Sequence, residues 1–366
     1  MTQAAVLERV GTPLRLVEVE LEPPREGEVE VEIAATGVCH SDVSVLKQWL
    51  PHPLPVVLGH EGAGVITAVG GGVVDVEVGD RVVLSWLAQC GDCFYCVAGQ
   101  PQLCEKAGVA FARGTLMDGS TRFSLRGQPM YQMAGLGTFA RRCVVPARSA
   151  IKIPESIPFP SAALIGCGVL TGWGAAVNTA AIGVGESVAV VGCGGVGLNA
   201  VQGAHLAGAG TIVAIDLHDE RLDMARSLGA THVLRPGDGT ARRVRDLVGG
   251  RGVDVALDVV GRPETIRDSI SMTRRGGRVV LVGAAGDDVQ LSLPAFTGVV
   301  MTEKVIRGSL YGSTHVRRDV PRLVQLYGAG RLKLDELVTA VFPFDDVNDA
   351  VEYCLLEKGA RAVVTF

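Results

Sequence analysis

Hydrophobic and polar positions change their rhythm once along this chain, near Val169. Before that point the spacing is that of strands buried on one face. Glu28 to Ile33 alternates charged and apolar residues, the period of a half-buried strand. Gly64 to Val69 and Arg81 to Leu84 read as further strands, with turns at Gly70-Gly71-Gly72 and Val78-Gly79-Asp80. Residues 105–145 read as irregular and Gly-rich, with a turn at Met117-Asp118-Gly119-Ser120, and Ala147 to Ile153 returns to strand character. Pro154, Pro158 and Pro160 then break the chain ahead of an apolar, helix-like run from Ala162 to Gly172.

After Val169, apolar runs alternate with helical stretches. The runs are Ser187–Val191, Thr211–Ile215, His232–Leu234, Asp254–Val259 and Arg278–Val282. The helical stretches include Leu198–Ala207, Glu220–Ser227, Ala241–Val248 and Glu264–Met272. This alternation predicts an α/β half built on a mostly parallel, doubly wound sheet, with Glu303 to Leu310 as its last strand.

One turn in that half carries a motif. Gly192-Cys193-Gly194-Gly195-Val196-Gly197 follows a predicted strand and opens a predicted helix. Asp216 closes the next apolar run about 20 residues on, where an acid accepts from the adenosine ribose of a dinucleotide. Gly192 permits the tight turn, Gly194 lets backbone approach a pyrophosphate, and Gly197 lets helix and strand pack closely. Free N–H groups and the dipole at the helix start favour the anion.

Composition acts by exclusion. The 366 residues are 48% hydrophobic and 20% charged, which suits a globular protein with a sizeable core in two domains or one large one. Net charge is −5 with no block of Lys or Arg, which speaks against nucleic acid and anionic membranes as partners. The opening Met1-Thr2-Gln3-Ala4-Ala5-Val6 lacks the pattern of a signal peptide, and no uncharged apolar run reads as membrane-spanning, so the expected compartment is the cytoplasm. Nine cysteines in such a chain read as metal ligands or catalytic groups before disulfides.

Four of them lie in Cys90-x2-Cys93-x2-Cys96-x7-Cys104, a spacing that suits one closed, tetrahedral structural zinc. A zinc ribbon for nucleic acid is the competing reading, and the acidic balance argues against it. Cysteine and histidine, ligands that suit zinc, also occur in Gly37-Val38-Cys39-His40-Ser41-Asp42 and in Gly59-His60-Glu61-Gly62-Ala63-Gly64. Their flanking glycines make sharp turns that present side chains. Cys167 sits in Gly166-Cys167-Gly168; alone it reads as a core residue.

Taken in order, these motifs and Arg361 resemble the zinc-dependent medium-chain alcohol dehydrogenases over essentially the whole chain. About sixty residues between Cys104 and Cys167 resemble the long-chain branch, either class III-like or the bacterial enzymes that need an added electron acceptor. The resemblance implies a GroES-like, β-rich catalytic domain at 1–168 and 311–366, with the zinc lobe at about 90–104, and a Rossmann domain at 169–310. It implies a catalytic zinc on Cys39, His60 and Cys167, whose two thiolates and imidazole leave a fourth position open. It implies a structural zinc on Cys90, Cys93, Cys96 and Cys104, and NAD as the cofactor.

The same resemblance gives Asp42 and Glu61 outer positions around the metal, and Ser41 the hydroxyl that accepts the alcohol proton. His40, Thr171, Gly192, Gly194, Gly195, Val196, Gly197, Asp216, Arg221, Val282 and Arg361 take cofactor positions. Trp86 and Leu310 take positions in the substrate pocket. Ser44 departs from the pattern: many members carry histidine there, so the proton relay must end in water or another group.

The implied reaction is reversible hydride transfer between a primary or secondary alcohol and NAD, by a homodimer or homotetramer. The runner-up substrate is S-(hydroxymethyl)glutathione, which needs charged recognition, and no acid occurs near Gln48-Trp49-Leu50-Pro51. A non-catalytic nucleotide-binding protein is the alternative from another class; such a chain should lack a catalytic zinc ligand.

Overall fold

The computed structural model describes residues 1–366 apart from Ala285, Asp287 and Asp288. The chain forms two compact units, one of Met1–Gly168 with His315–Phe366 and one of Val169–Thr314.

The first unit is built mainly on antiparallel strands. In chain order they are β1 (Thr2–Leu7), β2 (Arg15–Leu21), β3 (Glu28–Val38), β4 (Val56–Val57), β5 (Glu61–Val69), β6 (Arg81–Leu84), β7 (Phe123–Leu125), β8 (Gln128–Gln132), β9 (Arg142–Pro146) and β10 (Ala150–Lys152). β1, β2, β7, β8 and β4 close a small barrel. A second sheet runs β10-β6-β5-β3 and continues into two strands from the end of the chain, while β9 also pairs with β3. The alternation in β3 has its reason in this packing. Val29, Val31 and Ile33 lie in the core, while Glu30 and Glu32 face outward. Glu28 is the exception. It is buried and receives Arg122 Nε at 2.8 Å, an ion pair that pins the Met117–Ser120 turn region onto β3 through a further Arg122–Asp118 contact of 2.8 Å.

Three expectations change here. Residues 105–145 are not irregular: they hold a helix, Glu105–Arg113, and strands β7, β8 and the start of β9. Ala147–Ser149 is a 3₁₀ turn, so the strand expected from Ala147 begins at Ala150. The uncharged stretch Phe159–Thr179 is one helix of 21 residues, long and apolar enough to cross a membrane, contrary to the expectation; its apolar window is 83% buried inside the protein, as in a core helix.

The second unit is a parallel sheet of β11 (Ser187–Val191), β12 (Thr211–Ile215), β13 (His232–Leu234), β14 (Val253–Asp258), β15 (Thr273–Leu281) and β16 (Val305–Gly308). Their order is β13-β12-β11-β14-β15-β16, which reverses between β11 and β14 and places a ligand crevice at the carboxyl ends of those strands. Helices at Gly195–Leu206, Asp219–Ser227, Thr240–Leu247 and Pro263–Met272 connect the strands. The expected last strand, Glu303 to Leu310, is shorter, because Glu303 adopts a left-handed conformation (φ 48°) ahead of it.

The chain then returns to the first unit through β17 (Val338–Pro343) and β18 (Arg361–Thr365). β18 lies antiparallel on β3, with Ala362 opposite Val38 and Val363 opposite Gly37.

Candidate functional site

Register brings the first cluster together. β3 runs out at Val38, and Cys39 begins a short helix, His40–Leu46. Glu61 starts β5 and pairs with Gly37 of β3, so His60 stands just ahead of that pair. β18 enters on the other side of β3 with Arg361 as its first residue. Cys167 comes from the long helix, inside a π-helical turn at Ile165–Val169. Such single-turn irregularities re-aim side chains and are common at functional sites. Ligand atoms of Cys39, His60, Glu61 and Cys167 all lie within 4.8 Å of one another, and all four residues are buried.

Glycines make this crowding possible. A Cβ at Gly37 would lie 2.2 Å from Glu61 Oε2, one at Gly166 2.3 Å from the Leu84 carbonyl, and one at Gly168 2.4 Å from the Arg361 guanidinium. The sequence around Cys167 is therefore glycine because β6 and Arg361 press on it from both sides.

Asp42 organises the ligands. Its carboxylate accepts the backbone N–H of Cys39 at 2.9 Å and of Gly59 at 3.0 Å, and faces His60 Nδ1 at 3.2 Å. That contact favours the proton on Nδ1, which would leave Nε2 able to ligate a cation. Burial pushes the His60 pKa down, but Asp42 and Cys39 outweigh it and hold it well above the usual value. The Cys167 thiol donates toward Cys39 and holds the Cys39 pKa well below the thiol range, while Cys167 itself is raised. Burial lifts Glu61 to about 7 against the pull of Arg361.

Among the described residues, both Glu61 oxygens and the Nε and Nη2 of Arg361 are buried without a hydrogen-bond partner, and the Glu61–Arg361 ion pair is open at 3.5 Å. Two thiols, an imidazole and an unpartnered carboxylate are a donor set for a cation such as zinc. Ser41 Oγ lies 3.7 Å from Cys39 Sγ, and the Ser44 hydroxyl donates to the His40 carbonyl at 2.9 Å, one turn back along the helix. His40 is exposed.

The second cluster is Cys90, Cys93, Cys96 and Cys104, also within 4.8 Å of one another. Backbone N–H groups donate to its sulfurs, Cys93 N to Cys90 Sγ and Cys90 N to Cys104 Sγ, both at 3.4 Å. The backbone N–H of Cys96 lowers the Cys93 thiol to about 6, whereas burial raises Cys90 to about 12. Four thiolates around one zinc would close a tetrahedron and leave no position for a substrate. None of the nine cysteines is in a disulfide.

Trp86 stands half-buried with its ring 5.3 Å from that of Phe111. It lines a small hollow with Ala107, Ala110, Thr115 and Leu116.

In the second unit the glycine turn sits at the carboxyl end of β11. Gly192 is left-handed (φ 91°) and donates to the Ile215 carbonyl at 2.8 Å. A Cβ at Gly197 would lie 1.7 Å from the Gly192 carbonyl, whereas Gly194 faces open space. That combination, tight on the sheet side and open on the other, suits a dinucleotide phosphate above Gly194. Val196 and Gly195 open the helix. Asp216 is buried at the end of β12, accepts Cys193 N at 2.7 Å and His218 N at 2.9 Å, and has Arg221 at 3.9 Å. Val282 follows β15 and Thr171 lies on the long helix, both half-buried; Leu310 is 50% exposed beyond β16.

One residue escaped the sequence reading. Asp258 ends β14 as Asp216 ends β12, is fully buried, and accepts N–H from Val260 at 3.1 Å and Gly261 at 2.6 Å. The available signal was an acid next to the end of the apolar run Asp254–Val259, close to the one that drew attention to Asp216.

Comparison with known proteins follows the same division. Residues 25–155 match the alcohol dehydrogenase GroES-like domain and residues 195–328 match the zinc-binding dehydrogenase family. An NDMA-dependent alcohol dehydrogenase of Amycolatopsis methanolica is 40% identical over 366 residues, covering 99% of this chain and 98% of its own. An S-(hydroxymethyl)glutathione dehydrogenase of Paracoccus denitrificans is 37% identical over 377 residues, covering 100% of both chains. The crystal structure of benzyl alcohol dehydrogenase from Acinetobacter calcoaceticus superposes with a TM-score of 0.94 at 30% identity, over 100% of this chain and 99% of that one.

Asp42 offers a direct check on the first cluster. Asp42→Ala should weaken zinc there by about 10–100-fold, the usual effect of losing the partner of a ligand histidine. Competition titration against a chelator reads it; an affinity equal to the parent's would show that the carboxylate does not hold the ligands.

Proposed function

The chain belongs to the zinc-dependent medium-chain alcohol dehydrogenases, and from that premise we propose that it transfers hydride reversibly between a primary or secondary alcohol and NAD. That it is a zinc alcohol dehydrogenase using a nicotinamide cofactor follows from the family. The observation that carries the finer reading is the buried convergence of Cys39, His60 and Cys167 around an imidazole oriented by Asp42.

When bound, zinc supplies a Lewis acid that acidifies an alcohol, and NAD supplies the hydride acceptor. The protein's own residues do the rest. Cys39, Cys167 and His60 Nε2 hold the metal, Asp42 fixes the imidazole, and Arg361 offsets negative charge at Glu61. Ser41 takes the hydroxyl proton. Ser44 has committed its own hydroxyl to the His40 carbonyl, so the proton leaves to solvent beside exposed His40. Trp86 contributes an apolar wall suited to an uncharged alcohol. Gly192 to Gly197 seat the pyrophosphate and Asp216 the adenosine ribose, and we assign Thr171, Val196, Arg221 and Val282 to the same cofactor.

A second mode of turnover is favoured by the 40% identical NDMA-dependent relative: the cofactor stays bound and an added acceptor reoxidises it. Alcohol-dependent NADH formation reads the first mode and alcohol-dependent loss of NDMA without added NAD reads the second, and a protein silent in both assays with every alcohol tried would sink the reading. Asp216→Gly should lower kcat/KM with NAD by about tenfold or more, since a hydrogen bond to a charged group contributes about 1.5–3 kcal/mol, and should raise use of NADP by removing a like-charge clash. Because Asp216 also holds Cys193 and His218, Asp216→Asn is the companion that removes charge while keeping an acceptor. A preference unmoved in both variants would show that the acid is not the selector.

The same reading assigns two zinc ions per chain. Elemental analysis should find two in the parent and one in folded His60→Ala, whereas Cys93→Ser should lose stability, because a closed site contributes folding energy directly. A parent with a single zinc after metal-replete expression would overturn the assignment.

We also assign a homo-oligomer paired through β16. This strand ends the sheet, Val305 on it is 52% exposed, and Phe296, Val300 and Met301 just before it are more than half exposed. An open apolar edge invites pairing. Light scattering at micromolar concentration should report a dimer or larger; a monomer would reject it.

A further inference from the structure

Beyond β16 the chain makes an unusual turn. Tyr311, Gly312 and Ser313 are all left-handed, with φ of 52°, 66° and 49°. Only glycine takes that conformation without cost, so the flanking Tyr and Ser persist because their surroundings over-determine them. Those surroundings are visible. The hydroxyl of Thr179, at the end of the long helix, lies 2.8 Å from Ser309 Oγ and 2.8 Å from Ser313 Oγ. Asn178 Nδ2 donates to the Gly312 carbonyl at 3.3 Å, Ser313 N to the Leu310 carbonyl at 2.9 Å, and Thr314 Oγ1 to the Tyr311 carbonyl at 2.8 Å. Gly312 is wedged against the helix: a Cβ there would lie 2.3 Å from the Leu170 carbonyl and 2.8 Å from Gly174 Cα. Ser309 and Tyr311 are buried, yet Leu310 between them is half exposed.

We propose that Thr179, Ser309 and Ser313 form a three-hydroxyl clasp that holds 309–313 as a preformed seat for the nicotinamide half of the dinucleotide. Position supports this. The glycine turn and Asp216 occupy the β11–β12 half of the sheet, which takes the adenosine half, so the other nucleotide falls to the carboxyl ends of β14, β15 and β16. Residues 309–313 are the loop at the end of β16. A loop ordered before binding surrenders no conformational freedom when the ligand arrives, so a clasped seat releases its ligand slowly. The clasp residues are positioning residues; they act through the loop. The inference rests on the dinucleotide reading above.

The test uses the full-length zinc-loaded protein and two probes, NADH and ADP-ribose, which lacks the nicotinamide. Thr179→Val removes the central hydroxyl at nearly constant shape, Ser309→Ala removes an outer one, and Thr179→Ser restores the central group. NADH release is followed by fluorescence on chasing with excess NAD, and ADP-ribose affinity by calorimetry. Thr179→Val and Ser309→Ala should each release NADH about three- to tenfold faster, as expected for one or two lost hydrogen bonds, with ADP-ribose affinity unchanged and Thr179→Ser like the parent. Equal weakening of both probes, or NADH release unchanged in both variants, would overturn the clasp while leaving the dinucleotide reading intact. A parent that binds neither probe would overturn both.

Discussion

The catalytic half of this protein depends on where one buried carboxylate finds its donors. Asp42 has no solvent contact, and a charge buried without partners is costly. It is kept by two backbone N–H groups and an imidazole N–H, drawn from the start of the helix after β3 and from the turn before β5. Satisfying the carboxylate and placing Cys39 and His60 are therefore one event. Cys39 and Gly59 are separate in sequence, but both must present N–H to the same group, so the two ligand turns come into register with each other.

The sheet supplies the other side of the balance. Gly37 at the end of β3 pairs with Glu61 on one flank, and β18 lies on the other with Arg361 at its start. Two ionisable groups from distant parts of the sequence thus flank the buried thiols. Arg361 and Glu61 approach without a good hydrogen bond and are left with unpartnered atoms. An imperfect buried pair is weak as a structural device. Its arrangement is better understood as a field around the cluster of thiols and imidazole, with the carboxylate among the atoms that could hold a cation.

What could be read from residues alone follows from how each element is stabilised. β11 and β12 span the residues of their apolar runs, because a strand covered on both faces stays apolar until it leaves the sheet. The clustering of Cys90, Cys93, Cys96 and Cys104 was legible because thiols joined by short connections are held close in space. The segment 105–145 was not. β7 and β8 are short, one holds Pro129, and beyond their own hairpin their partners β2 and β4 lie far away in sequence, so their local pattern carries little strand character. The Glu61–Arg361 approach was hidden for the same reason: only the register of three strands creates it. The membrane-length helix was missed because glycines and small residues disguised a continuous run that the core later covers.

The nucleotide half shows why a motif reading is incomplete even where its residues lie in one place. Asp216 was picked out as a ribose acceptor, yet in the folded chain its oxygens already hold N–H groups of Cys193 and His218. Asp258 does the same for Val260 and Gly261 at the end of the neighbouring half. A Cβ at Gly192 would strike the Val260 side chain at 2.7 Å, so these two anchored turns lean on each other across the reversal of strand order. Each carboxylate retains further acceptor capacity for a ligand, since an ionised oxygen has more than one lone-pair site. The crevice rim is thus ordered by acids that fasten backbone first, and an acid in such a position cannot be changed as a selector without also loosening the turn it fastens.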